Sequence, residues 1–149
     1  MNITILGAGA FGLALSSMFL ENNCNITMWT KSDNEKEILE KERCNKKLLP
    51  DYKISKKIKF TTNLEDSVRD ANVIVIAIPV KYVTNIIIEL KKYYNKEQHI
   101  CIASKGIEQG SCLFIASIVK KNIKTFFCCG SSAACWASFI ISAGRMVTP

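Results

Sequence analysis

Histidine is nearly missing from this chain, with His99 the single example, and its seven cysteines include no Cys-x-x-Cys pair. A zinc site built from imidazole and paired thiolates is therefore not expected, nor is any other metal. Proline is scarce, at three in 149 residues, and 48% of the chain is hydrophobic against 22% charged. That balance excludes collagen-like repeats and intrinsic disorder. A chain of this length buries about two-thirds of the surface it exposes when unfolded, so it needs no disulfide or metal to hold a core. No run of five like charges occurs, although the net charge is +7. The excess admits nucleic acid, an anionic membrane surface or a phosphorylated small molecule. Basic residues are scattered over several segments without interleaved aromatics, so nucleic acid is not expected. Met1 runs into an apolar segment with no positive leader region, which predicts a cytoplasmic protein with reduced thiols serving as small core fillers.

What is present alternates regularly. Asn2 to Leu6 is a β-branched run that breaks at Gly7, and Phe11 to Leu20 carries apolar residues at helical spacing. Asn25 to Trp29 reads as a second strand at the distance of a right-handed βαβ crossover. Asp33 to Arg43 favours a helix capped by Ser32 or Asp33, and Cys44 to Lys57, with Pro50, reads as irregular. Ile58 to Thr61 predicts a third strand, followed by a short helix that Asn63 caps and that runs to Asp70. Val73 to Ile78 is apolar throughout, as in a central strand covered on both faces, and Pro79 is expected to end it. A helix over Val80 to Lys92 follows. A fifth strand covers His99 to Ala103, a tight loop Ser104 to Gly106, and a helix capped by Ser111 covers Cys112 to Lys120. This alternation predicts an α/β fold with a doubly wound parallel sheet.

The end of the chain differs in kind. From Thr125 to Pro149 the only charged residue is Arg145, and 18 uncharged residues run from Phe126 to Ala143. That length touches the lower limit of a membrane span, but glycine and serines dilute it. A sixth strand over Ile123 to Cys128 with an atypical tail is favoured, which divides the chain into a domain over residues 1–124 and a tail over 125–149.

Gly7-Ala8-Gly9-Ala10-Phe11-Gly12 satisfies Gly-x-Gly-x-x-Gly directly after a predicted strand and at the start of a predicted helix, where a Rossmann-type sheet binds dinucleotides. Gly7 would make the tight turn, Gly9 would let the backbone approach a pyrophosphate, and Gly12 would let helix pack on strand. The alternative is a glycine-rich structural turn. At the tip of the second strand, where an NAD-selective site places a carboxylate, the sequence is Trp29-Thr30-Lys31-Ser32. Lys31 and two hydroxyls could take a 2′-phosphate, which favours NADP; otherwise Lys31 is solvated and Asp33 binds the ribose of NAD. Pro79 leaves the carboxyl end of the fourth strand and would position a nicotinamide sterically, or simply end the strand. Lys105, beside Gly106 at the fifth strand's carboxyl end, is either a point charge for a substrate oxygen or an ordinary loop lysine.

The segments GAGAFGLAL (Gly7 to Leu15), RCNKKLLP (Arg43 to Pro50), TTNLEDSV (Thr61 to Val68), VIAIP (Val75 to Pro79) and ASKGIE (Ala103 to Glu108), at these spacings, resemble the N-terminal domain of bacterial-type NAD(P)-dependent glycerol-3-phosphate dehydrogenases. The resemblance covers residues 1–124. It implies that Ala10, Phe11 and Lys31 contact the cofactor and that Lys105 touches both cofactor and glycerol 3-phosphate. Further on, Gly130, Ser132 and Ala134 fall at matching positions of a family loop whose proline and aromatic are absent here. They would bind substrate (Gly130, Ser132) and cofactor (Ala134).

The implied reaction is reversible hydride transfer between NAD(P)H and dihydroxyacetone phosphate, serving glycerol-3-phosphate metabolism and phospholipid synthesis, in a homodimer of the longer enzyme. The family's general-base lysine and most of its phosphate site belong to a second, helical domain. No catalytic residue is therefore expected in this chain, and poor turnover or none is expected of it. Two other functions fit the same first half: another two-domain NAD(P)-dependent oxidoreductase, and a non-catalytic nucleotide-binding module.

Overall fold

A computed structural model describes residues 1–123 and 127–129. Six parallel strands form one sheet in the order β3-β2-β1-β4-β5-β6. The strands are β1 (Asn2–Leu6), β2 (Asn25–Trp29), β3 (Lys59–Thr61), β4 (Val73–Ile76), β5 (His99–Ile102) and β6 (Phe127–Cys129). Between them run α1 (Ala10–Glu21), α2 (Asp33–Glu42), α3 (Leu64–Val68), α4 (Val80–Leu90) and α5 (Ile115–Asn122). The order reverses between β1 and β4, which pair in register from Ile3 with Val73 to Leu6 with Ile76. This is the doubly wound sheet expected from the alternation, and its switch point is where such sheets open a crevice.

Side-chain alternation along the strands divides the core between the two faces. Ile3, Ile5, Met28, Val73 and Val75 pack with Leu13 and Phe19 of α1 and Leu39 of α2. Leu6, Trp29, Ile74 and Ile76 pack with Val68 of α3, Val83 and Ile87 of α4, and Val119 of α5. Because β4 serves both clusters, all four of its residues are buried, which explains its unbroken apolar run.

Two helix caps form as the sequence predicts. The Ser32 side chain accepts from the Glu35 amide at the start of α2, and that of Asn63 accepts from the Asp66 amide at the start of α3. The loop after α2 turns on Arg43, whose φ of 50° is left-handed. Its guanidinium donates to the Ile58 carbonyl at 2.9 Å, tying the irregular Cys44–Lys57 segment back to the sheet.

Several boundaries differ from expectation. Strand β4 ends at Ile76, not at Ile78, and Pro79, expected to end the strand, instead precedes α4 with φ −58°, already suited to a helix start. Helix α3 ends at Val68, and α4 at Leu90. Helix α5 begins at Ile115 after Phe114, not at Cys112 after Ser111. There the backbone is held by a bridge between Ile107 and Phe114 and by a positive φ of 54° at Cys112, which no helix accommodates. Ile123 precedes the sixth strand rather than opening it.

Of the cysteines proposed as core fillers, Cys24 and Cys101 are buried, whereas Cys44 is half-buried and Cys112 exposed. Burial pushes the Cys24 thiol above its usual range. Among the described residues no helix is long and apolar enough to cross a membrane. Most of the uncharged run from Phe126 to Ala143 lies outside the described residues.

Candidate functional site

A cleft of about 810 Å³ opens at the carboxyl ends of β1, β2, β4 and β5. Its size suits a small-molecule site. The backbone geometry of the glycine segment creates it. Gly7 adopts φ +113°, and a Cβ there would stand 2.6 Å from the Ala77 carbonyl oxygen; the Gly7 amide meanwhile donates to the Trp29 carbonyl at 2.8 Å. The chain therefore turns sharply between β2 and β4. Gly12 lies behind this turn and does not line the cleft. Its own Cβ would collide with the Gly7 carbonyl oxygen, so glycine there lets α1 sit on the end of β1.

Gly9 is different. A Cβ added to it would meet no atom of the described residues within 4 Å, so none of them demands glycine at this position. It precedes α1, which has no side-chain cap and no acidic residue in its first turn. The first-turn amides of Ala10, Phe11 and Gly12 thus lack intrahelical partners, and the positive end of the helix dipole is unopposed. A cradle open at Gly9 below unpaired amides fits the pyrophosphate of a dinucleotide. Phe11 is 50% exposed, unusual for an aromatic residue, and its ring borders the same opening.

The other walls come from three strand ends. Lys31 follows β2 and is exposed; Lys105 follows β5 and is exposed. The strands carrying these two cations lie about 14 Å apart in the sheet, with β1 and β4 between them. Ala77, Ile78 and Pro79 form the centre. Ser104 pins this segment: its hydroxyl donates to the Ile78 carbonyl at 2.6 Å, and its amide to the Ile76 carbonyl at 2.9 Å. Lys105 is therefore anchored through its neighbour to the strand end opposite. Downstream, Glu108 ties the same loop to α4 by accepting from the hydroxyls of Thr84 and Ser111. Those two bonds, with Ser111 the stronger influence, hold the Glu108 carboxyl below the usual glutamate range.

Gly7, Gly9, Ala10, Phe11, Lys31, Pro79 and Lys105 accordingly meet in one cleft, as a shared site requires. Asp33, the alternative ribose ligand, does not line it and instead accepts from Thr62 at 2.7 Å. Gly130, Ser132 and Ala134 lie outside the described residues. Sequence reading missed Glu35, Tyr82, Asn85 and Ser104, which also line the cleft. Asn85 and the 46%-exposed Tyr82 were detectable in principle as polar or aromatic positions on the cleft side of a helix beginning at Pro79. Glu35 was concealed because Ser32-x-x-Glu35 reads as a capping box.

A glycine turn at the first crossover and a cleft at the β1/β4 switch point define a Rossmann-type domain. A sequence model of the family described as NAD-dependent glycerol-3-phosphate dehydrogenase N-terminus matches residues 2–137, and the chain belongs to that family. The glycerol-3-phosphate dehydrogenase (NAD(P)+) of Carboxydothermus hydrogenoformans is 35% identical over 118 residues, covering 79% of this chain and 35% of the relative. That of Wigglesworthia glossinidia brevipalpis is 35% identical over 107 residues, covering 72% and 32%. The crystal structure of the Coxiella burnetii glycerol-3-phosphate dehydrogenase superposes with a TM-score of 0.77 at 24% identity, covering 84% of this chain and 38% of that one. The chain spans about a third of the length of the relatives it matches.

Proposed function

We propose that this chain binds NAD or NADP in the β1/β4 cleft and forms the cofactor-binding part of a glycerol-3-phosphate dehydrogenase. The observation that carries the reading is the uncapped start of α1, open at Gly9, facing a cleft that also holds Lys105. The amides of Ala10 and Phe11 would hold the pyrophosphate, and the Ala77–Pro79 segment would limit where the nicotinamide ring can lie. Lys31 is the cation available to a 2′-phosphate. The cofactor held there would supply the hydride chemistry for interconverting dihydroxyacetone phosphate and glycerol 3-phosphate at C2. Lys105, fixed through Ser104, would hold the substrate oxygen by its charge.

Family resemblance assigns proton transfer to a lysine of a helical domain, so residues 1–149 taken by themselves would supply cofactor binding and the Lys105 contact. The reading carries with it a cytoplasmic setting and a homodimer, which fractionation and sedimentation velocity check.

Titration of the chain with NADH and NADPH, read by nucleotide fluorescence, tests it. Saturable binding is expected, with no oxidation on adding dihydroxyacetone phosphate. Absence of binding by the folded chain would overturn the reading. Binding of both nucleotides that Lys105→Ala leaves intact, including any enhancement by glycerol 3-phosphate, would remove Lys105 from the site and leave a nucleotide-binding module without this substrate.

A further inference from the structure

Glu35 stands three residues after the Ser32 cap of α2, yet its carboxylate does not return to that cap. In a capping box the glutamate returns to the amide of the cap residue. Here the Glu35 amide donates to the Ser32 hydroxyl oxygen at 3.3 Å, while the carboxylate accepts from the Thr30 hydroxyl through Oε2. Thr30 is only 4% exposed, and its amide donates to the Thr61 carbonyl at 3.0 Å. The carboxylate is thus fastened to a rigid strand end. No lysine or arginine among the described residues forms an ion pair with Glu35. It lines the cleft on the side of Thr30 and Lys31.

Resting on the dinucleotide reading above, the geometry points to Glu35 as a specificity-determining residue that favours the unphosphorylated cofactor. Two side chains of opposite charge border the ribose end of the cleft, and they are not equivalent. Lys31 is exposed and makes no ion pair among the described residues, so its ammonium stays hydrated on a flexible stem. Glu35 is half-buried and oriented by a buried hydroxyl. A ribose 2′-hydroxyl can donate to the carboxylate oxygen that Thr30 leaves open. A 2′-phosphate, which carries close to two negative charges at neutral pH, cannot; it meets a fixed like charge. The oriented group decides, so the preference that Lys31 alone suggests is reversed in favour of NAD.

The chain should then bind NADH on the order of tenfold tighter than NADPH at low ionic strength. Glu35→Gln, which keeps the shape and a hydrogen-bonding oxygen, should tighten NADPH binding by about the same factor and change NADH binding little. Because the discrimination is electrostatic, the NADH/NADPH affinity ratio of the unmodified chain should shrink towards one as salt rises to about 0.5 M. Nucleotide fluorescence reads each quantity. A ratio that neither salt nor Glu35→Gln alters, with both nucleotides bound, overturns the role of Glu35 and leaves the dinucleotide site standing. Binding of neither nucleotide overturns the site itself, and Glu35 with it. If the variant does not fold, the salt series on the unmodified chain still decides.

Discussion

Gly7 and Gly9 are two residues apart, carry the same side chain, and are glycine for opposite reasons. At Gly7 the fold demands it: the φ of +113° is unfavourable for any L side chain, and a Cβ would press on the Ala77 carbonyl oxygen. At Gly9 the backbone is ordinary, with φ −72° and ψ 175°, and the space in front is open. Gly7→Ala should cost roughly 2–4 kcal/mol of folding stability from strain and overpacking together. Gly9→Ala should leave stability within about 1 kcal/mol, and on the favourable side if it moves, because it restricts only the unfolded chain. Its effect should fall on ligand binding, where a methyl group enters the cradle. Urea unfolding and nucleotide titration of the two variants separate these outcomes. A Gly9→Ala chain that binds nucleotide as well as the parent would mean the open space is not where the ligand approaches.

At the scale of elements, the loop between β5 and α5 is held to α4 by Glu108, and that tie depends on charge. Ser111 and Thr84 donate to the Glu108 carboxylate and hold its pKa low in the folded protein. A carboxyl depressed on folding contributes stability above its unfolded pKa and loses it as pH falls through the lower, folded value. The loop carrying Lys105 should therefore loosen below about pH 4 and not near neutrality. Hydrogen exchange of residues 104–114, corrected for intrinsic rates, should accelerate in that range. In Glu108→Gln it should be fast at every pH and lose this dependence. Identical pH profiles for the two chains would show that the tie does not govern the loop.

This loop also marks where sequence reading stopped working. Strands β1 and β2 were legible to the residue, since each is an apolar, β-branched run ended by a change of composition, and the caps at Ser32 and Asn63 announced their helices. The start of α5 was not legible. Leu113 and Phe114 continue the apolar spacing of the helix, and only the Ile107–Phe114 bridge and the turned backbone at Cys112 keep them out of it. The glycine turn was readable because its chemistry is local. Tyr82 and Asn85 could be placed on a helix face from the sequence, but their meeting with Glu35 in one site could not, because it follows only when strand order 3-2-1-4-5-6 brings the starts of α2 and α4 to the same edge.

Considered as a whole, the molecule is two half-sheets that meet at the β1/β4 boundary, and the cleft draws its walls from both. Thr30, Lys31 and Glu35 come from the β1–β3 half; Pro79, Tyr82, Ser104 and Lys105 come from the β4–β6 half. Within the protein the halves are joined at this edge by backbone bonds such as Ala77 amide to Leu6 carbonyl at 2.9 Å. A ligand spanning the cleft would add a second bridge across the boundary. At a concentration of about 100 times Kd, binding confined to the folded state contributes about 2.7 kcal/mol. For a domain of this size that raises Tm by roughly 5–11 °C. A molecule held only by the α1 end, such as inorganic pyrophosphate, could produce a shift of the same size if present at the same multiple of its own Kd, so Tm alone does not identify a bridging ligand. Hydrogen exchange does. A dinucleotide should slow exchange at Lys31 and at Ser104 together, on opposite halves of the sheet, whereas pyrophosphate should protect the first turn of α1 and leave both flanks as they were. Protection by NADH confined to one half would mean that the two halves do not share a ligand, and that Lys105 belongs to a separate surface.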